Sequence, residues 1–152
     1  MNNCTNTRAT TELLSDIYKN VKAGTESITD IIPKVKDKFL LRDMTAQLDG
    51  YSQFASQAAH LLAEYGSDGA EVSAIEKITS RLNVMINTTL DSSVPGIAEM
   101  IAENSAESAD TMKKRTIEAE MMNCDERASE LAREIADFEM RNSGIMKEYY
   151  EK

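Results

Sequence analysis

The stretch FLLRDMTAQLDGYSQFASQAAHLLAEYG, residues 39–66, decides the fold. Within it Leu41, Met44, Leu48, Tyr51, Ala55, Ala58, Leu62 and Tyr65 recur at alternating steps of three and four. Leu40, Phe54 and Leu61 widen the same stripe. This spacing paints one face of an α-helix, because residues three and four apart lie above one another. Gly50 alone interrupts the seam, and Gly66 follows the last tyrosine, where a helix C-cap falls. A long helix with one apolar face must bury that face against other helices.

Upstream, Leu14, Ile17, Val21, Gly24, Ile28 and Ile31 form a second seam, predicting a helix over about 10–32. A Thr-Thr-Glu start at 10–12 offers capping chemistry and an acidic first turn. Gly24 sits on the seam itself, where a missing side chain permits close helix approach. Pro33 marks the boundary, since the residue before a proline avoids the α region. The next helix then takes about 36–65, and so short a connection makes the two antiparallel neighbours. Residues 1–8 are expected to be a disordered leader ahead of a single domain over 9–152.

Downstream, GSDG at 66–69 is a loop, and Val72, Ile75, Ile78, Leu82, Met85, Ile86 and Thr89 predict a linking helix to about 90. One helix over 70–117 would be about 70 Å long at about 1.5 Å per residue. The DSSVPG run at 91–96 is therefore a break, with Ser92 or Ser93 as N-cap and Pro95 in the first turn. The helix that follows carries Val94, Ile97, Met100, Ile101, Asn104, Ser108 and Met112 to about 115, and 116–123 is a loop or a continued turn. Asn123 to Glu126 has the N-cap spacing of a last helix running to about 150, with Ala128, Leu131, Ile135, Phe138, Asn142, Ile145 and Tyr149 on its seam.

Composition supports an all-α reading: aromatic content is 5%, Trp is missing and Pro numbers 2. Net charge is −9 and lies almost wholly in the second half, with −1 over residues 1–66 (seven Lys/Arg, eight Asp/Glu) and −8 over 67–152 (ten against eighteen). An acidic surface repels a phosphate backbone and an anionic bilayer, so neither nucleic acid nor membrane is expected as a partner. No apolar run reaches the length of a bilayer span, and the first residues lack the apolar core of a signal peptide. A cytoplasmic protein is expected. Cys4 and Cys124 have no spacing that suggests a metal site or a disulfide framework.

Two long helices joined by a minimal turn, a linking segment, and two further bundle helices resemble the layout of ferritin-like proteins. The closer resemblance is to small ferritin-like proteins of bacteria. It rests on Gly24-Thr25-Glu26-Ser27-Ile28, Ala58-Ala59-His60-Leu61-Leu62, Phe138-Glu139 and Met146-Lys147-Glu148-Tyr149, and covers about residues 10–150. It implies an all-α, up-down bundle of four long helices with an additional linking helix.

The best-known chemistry of that family is a di-iron centre built from a Glu on each of two helices and a Glu-x-x-His pair on each of the other two. This chain has 1 histidine, and its local motif is Gln57-x-x-His60, which lacks the partner carboxylate. Seam counting points both His60 and Glu26 away from the bundle axis. No catalytic residue and no cofactor are therefore assigned. The reading is a non-enzymatic structural or interaction module that kept the scaffold and lost its metal site. The alternative is a metal-binding oxidoreductase or storage protein with an unconventional carboxylate site.

Glu99, Glu103 and Glu107 stack at i, i+4 and i+8, the spacing that could hold a hard divalent ion. Such a row is more often a solvated face, since like charges at this spacing repel. Asn104, Ser108 and Thr111, with Asn142 on the last helix, form either a polar interior or a partly covered face. Cys124, close to a helix N-terminus, is a candidate for a lowered thiol pKa or an incidental small residue. Of the methionines, Met44, Met85, Met100, Met112 and Met146 serve as core filler, whereas Met121 and Met122 fall in the ambiguous segment. Breadth in the first two seams, from Leu40, Phe54 and Leu61, predicts a homodimer through helix one or two.

Overall fold

A computed structural model describes residues 4–66 and 92–151. Four long α-helices pack together: α1 (Thr7–Ile31), α2 (Lys38–Glu64), α3 (Val94–Met121) and α4 (Glu126–Lys147). Among the described residues there is no strand. The expected linking helix, with Val72 to Leu90, lies outside the described residues.

Each helix starts on a side-chain cap. Asn6 accepts from the Ala9 amide, Asp37 from Leu40, Ser93 from Gly96 and Asp125 from Arg127. A cap of this kind satisfies an amide that the helix cannot, and is worth about 1 kcal/mol. Helix α1 thus begins at Thr7, earlier than the Thr-Thr-Glu start expected. Of the residues expected as a leader, 1–3 lie outside the described residues, Thr7 and Arg8 are helical, and the Asn6 amide donates to the Asn123 carbonyl at 2.7 Å. The α1–α2 connection is a single 3₁₀ turn, Ile32–Lys34, that takes Pro33 in its first positions.

Helix α3 does not stop near 115. It runs on to Met121 and closes with Asn123 in the left-handed region (φ 62°). There the Cys124 amide reaches the Ala119 carbonyl and the Asn123 amide reaches Glu120, a Schellman turn that satisfies the last carbonyls. Gly66 (φ 77°) ends α2 in the same backbone region.

Helix directions follow from the end contacts. Tyr65, after α2, meets Asp125 before α4, and Tyr149, after α4, meets Asp43 near the start of α2. Asn6, before α1, meets Asn123, after α3. Helices α1 and α4 therefore run one way and α2 and α3 the other, so Glu64 and Val94 lie at opposite ends. Helix α1 packs on α2 and α3, α4 packs on α3 and α2, and α1 also touches α4 across the diagonal.

The core follows the seams on α1 closely: Leu14, Ile17, Val21, Ile28 and Ile31 are all buried. Burial of one such side chain contributes about 1.5–3 kcal/mol. On α2 the inward register runs through Leu40, Met44, Gln47, Tyr51, Ala58 and Leu62, while Leu41 and Leu48 are only half-buried. Helix α4 turns inward through Ala128, Ala132, Ile135, Glu139, Asn142 and Met146, and Ile145 is exposed rather than on the seam. On α3 the buried face is made of small residues, Ala98, Ala102, Ser105 and Ala109, between Ile97, Ile101 and Met112.

Candidate functional site

The middle of the bundle is polar. Glu139 of α4, only 1% exposed, accepts from Asn20 Nδ2 of α1 at 2.8 Å and from the Tyr51 hydroxyl of α2 at 2.8 Å. Gln47, one turn before Tyr51, donates through Nε2 to Ser105 Oγ of α3 at 3.2 Å and more distantly to the Tyr51 oxygen at 3.5 Å. One chain of hydrogen bonds thus crosses all four helices.

Glycine builds this arrangement. A Cβ on Gly24 would come within 2.5 Å of Tyr51 Cζ, and one on Gly50 within 2.3 Å of Phe138 Cε1. The close approach read from the Gly24 seam position is thereby a seat for the Tyr51 phenol, which lies against α1 on its way to Glu139. Phe138 meets Tyr51 and Phe54 edge-on, with centroids 5.3 and 5.2 Å apart, and closes the network on the α2–α4 side.

Both acids of the pair are weakened by their surroundings. Burial pushes the Glu139 carboxyl up to about 7, against the opposing pull of the hydrogen bonds from Asn20 and Tyr51. Burial, with the Glu139 charge behind it, also drives the Tyr51 phenol well above its ordinary value. The Gln47 Oε1 atom is buried with no hydrogen-bond partner among the described residues. An orphaned acceptor of this kind is uncommon and costs about 1–3 kcal/mol.

Beside this network lies a groove of about 570 Å³ between α1 and α3, with Gln47 and Tyr51 at its floor. Small side chains on facing stretches, Ala23 and Gly24 on α1 and Ser105 and Ser108 on α3, create it.

The residues singled out from sequence scatter around this centre. Asn104 and Thr111 are exposed and Ser108 is half-buried, all three on the groove. Asn142 is buried but spends its amide on the Phe138 carbonyl of its own helix, so the four do not share one interior. Glu99, Glu103 and Glu107 are exposed. Among the described residues no group of three His, Cys, Asp or Glu is placed to hold a metal ion. His60 is exposed, 3.7 Å from Glu64, and Glu26 is half-buried rather than outside.

Cys4 and Cys124, far apart in sequence, line one cleft at the α3–α4 turn. Burial pushes the Cys124 thiol up, the reverse of helix-end activation. Met44, Met112 and Met146 fill the core, while Met121 and Met122 are exposed.

A second polar centre pins the helix ends. Asp125 accepts from Tyr65 Oη at 2.5 Å, from the Arg127 amide at 2.9 Å and from Arg127 Nη2 at 2.8 Å. Its own amide donates to Thr10 Oγ1, and Arg127 continues to Glu64. Chiefly through the Arg127 guanidinium, the Asp125 carboxyl is held well below the usual carboxylate range.

Among the described residues no helix is long and apolar enough to cross a membrane. The chain matches no protein-family model, no curated protein and no solved structure.

Proposed function

We propose that the protein is a ferritin-like bundle that has given up its metal site and serves, without catalysis, as a structural or protein-interaction module in the cytoplasm. The observation that carries this reading is the chemistry of the central layer. A di-iron centre of the ferritin-like type needs four carboxylates and two imidazoles directed inward. Here the inward groups that meet at the centre are Asn20, Gln47, Tyr51, Ser105 and Glu139, a single carboxylate whose two oxygens are engaged by neutral donors. Parallel α2 and α3 support the ferritin-like part of the reading, since that topology has one long crossover.

Elemental analysis of protein purified without chelator tests it. Iron or manganese near one equivalent per chain would favour the alternative, a metal-dependent protein using Glu99, Glu103 and Glu107.

A two-fold pair through α1 or α2 belongs to the same proposal. Leu40 is spent in the core and Phe54 packs on Phe138, which leaves Phe39, 58% exposed, as the large apolar side chain those helices offer outward. Light scattering that returns the single-chain mass of 16.9 kDa at micromolar concentration refutes the pair.

A further inference from the structure

We propose that the α1–α3 groove is a binding site for a small primary amine with an apolar body, its nitrogen donating to Gln47 Oε1. The proposal goes beyond the module reading and does not depend on the lost metal site.

The donor requirement comes from Gln47. Its side chain is 1% exposed and lines the groove, and Oε1 has no partner among the described residues. The amide orientation is set by its neighbours. With Glu139 ionised, as it is above about pH 7, Tyr51 gives its only hydroxyl proton to Glu139 Oε2, so towards Gln47 it can only accept, and Nε2 is the end that faces it. The end left over is therefore the oxygen, and what satisfies it must bring an N–H or O–H.

Charge selects the nitrogen. Among the described lining residues there is no Lys, Arg or His, and the ionisable side chain at the rim is Glu107. Glu139 adds a carboxyl one hydrogen bond behind Tyr51. An anion finds no counter-charge there, whereas an ammonium is favoured by Glu107 and by the Tyr51 ring.

Shape selects the body. Ile28, Met100 and Ile101 join the Tyr51 ring in giving the groove apolar walls. Its volume of about 570 Å³ is within the range of small-molecule sites. Exposed Asn104 and Thr111 mark the way in.

Titration of the full chain with 2-phenylethylamine, followed by calorimetry and by the NMR signals of the Gln47 side-chain amide, tests the site. Phenylacetate, the carboxylate nearest in size, and the isosteric 2-phenylethanol are run beside it. The expected result is saturable amine binding that moves the Gln47 amide signals, weaker binding of the alcohol and none of the acid. Gln47→Leu should weaken the amine about tenfold, the worth of one hydrogen bond. Ser108→Trp, at the half-buried rim and outside the hydrogen-bond chain, should abolish binding while circular dichroism stays unchanged. The proposal is overturned if the acid binds as well as the amine, if Gln47→Leu leaves the affinity unaltered, or if the amine fails to saturate below about 10 mM, which would leave water as the partner of Gln47.

Discussion

Replacing Glu139 by glutamine should make the protein more stable at pH 8 and leave it nearly unchanged at pH 5. In the unfolded chain this carboxyl releases its proton near 4.5, whereas in the fold burial holds the proton to about 7. Between those values the native state binds more protons than the unfolded state, so stability falls as pH rises. The contribution is fully present below the unfolded value and is lost by the time the folded value is passed. At about 1.4 kcal/mol per pH unit, the interval from 4.5 to about 7 corresponds to roughly 3 kcal/mol. Glutamine keeps the shape and stays neutral. Its oxygen can accept from Asn20, and its amide can donate to the Tyr51 oxygen, which frees the phenol proton for the Gln47 oxygen once that amide turns over. Urea unfolding followed by circular dichroism at both pH values gives the comparison, and subtracting the variant's curve from the parent's removes the titration of every other group. A parent–variant difference that is the same at pH 5 and pH 8, or a parent that gains on the variant as pH rises, would refute the reasoning.

Gly24→Ala should cost about 1–3 kcal/mol in denaturant unfolding, because the gain in helix propensity is outweighed by displacing the Tyr51 ring that sits 2.5 Å from the new Cβ. The same substitution should widen the pH 5–8 difference, since the Tyr51 hydrogen bond opposes the effect of burial on Glu139 and a displaced phenol no longer supplies it. Asp125→Ala should lower stability by about 1–2 kcal/mol near neutrality through loss of the α4 cap. Its carboxyl is held low in the fold, so that contribution is present above the ordinary carboxylate range and is lost as pH falls, and the deficit should narrow in acid unfolding experiments.

Much of the scaffold is legible from spacing alone. The α1 seam, the Ser93 cap, the Gly66 stop and the antiparallel α1–α2 pair all follow from local chemistry that one segment carries by itself. The register of α2 is harder: Leu40 and Leu41 are adjacent, and the choice between Leu48 and Gln47 is settled by which neighbour offers hydrogen bonds. On α3 the buried face is alanine and serine, which differ little in hydropathy from the exposed side, so Met100 and Asn104 look as inward as Ala98 and Ser105. The central site is hardest of all. Ala128, Ala132, Ile135, Glu139, Asn142 and Met146 alternate in steps of four and three without a fault. A carboxylate on that ladder is a signal, but a count of apolar positions passes over it. Its partners, Asn20 and Tyr51, stand on other helices and have no local relation to it.

The chain of hydrogen bonds through Glu139 also has a history in time. Asn20 and Tyr51 are 119 and 88 residues upstream of the carboxyl that satisfies them. At roughly 5–20 residues per second, a ribosome takes about 5–20 s to go from Tyr51 to Glu139. Over that interval the α1–α2 hairpin has already been made, with a phenol, two amides and the Gly50 hollow that receives Phe138 facing a partner not yet synthesised. A hairpin in that state cannot dry its inner face without leaving those groups unpaired. Closure of the bundle therefore waits for the last helix, and it arrives for the whole chain at once.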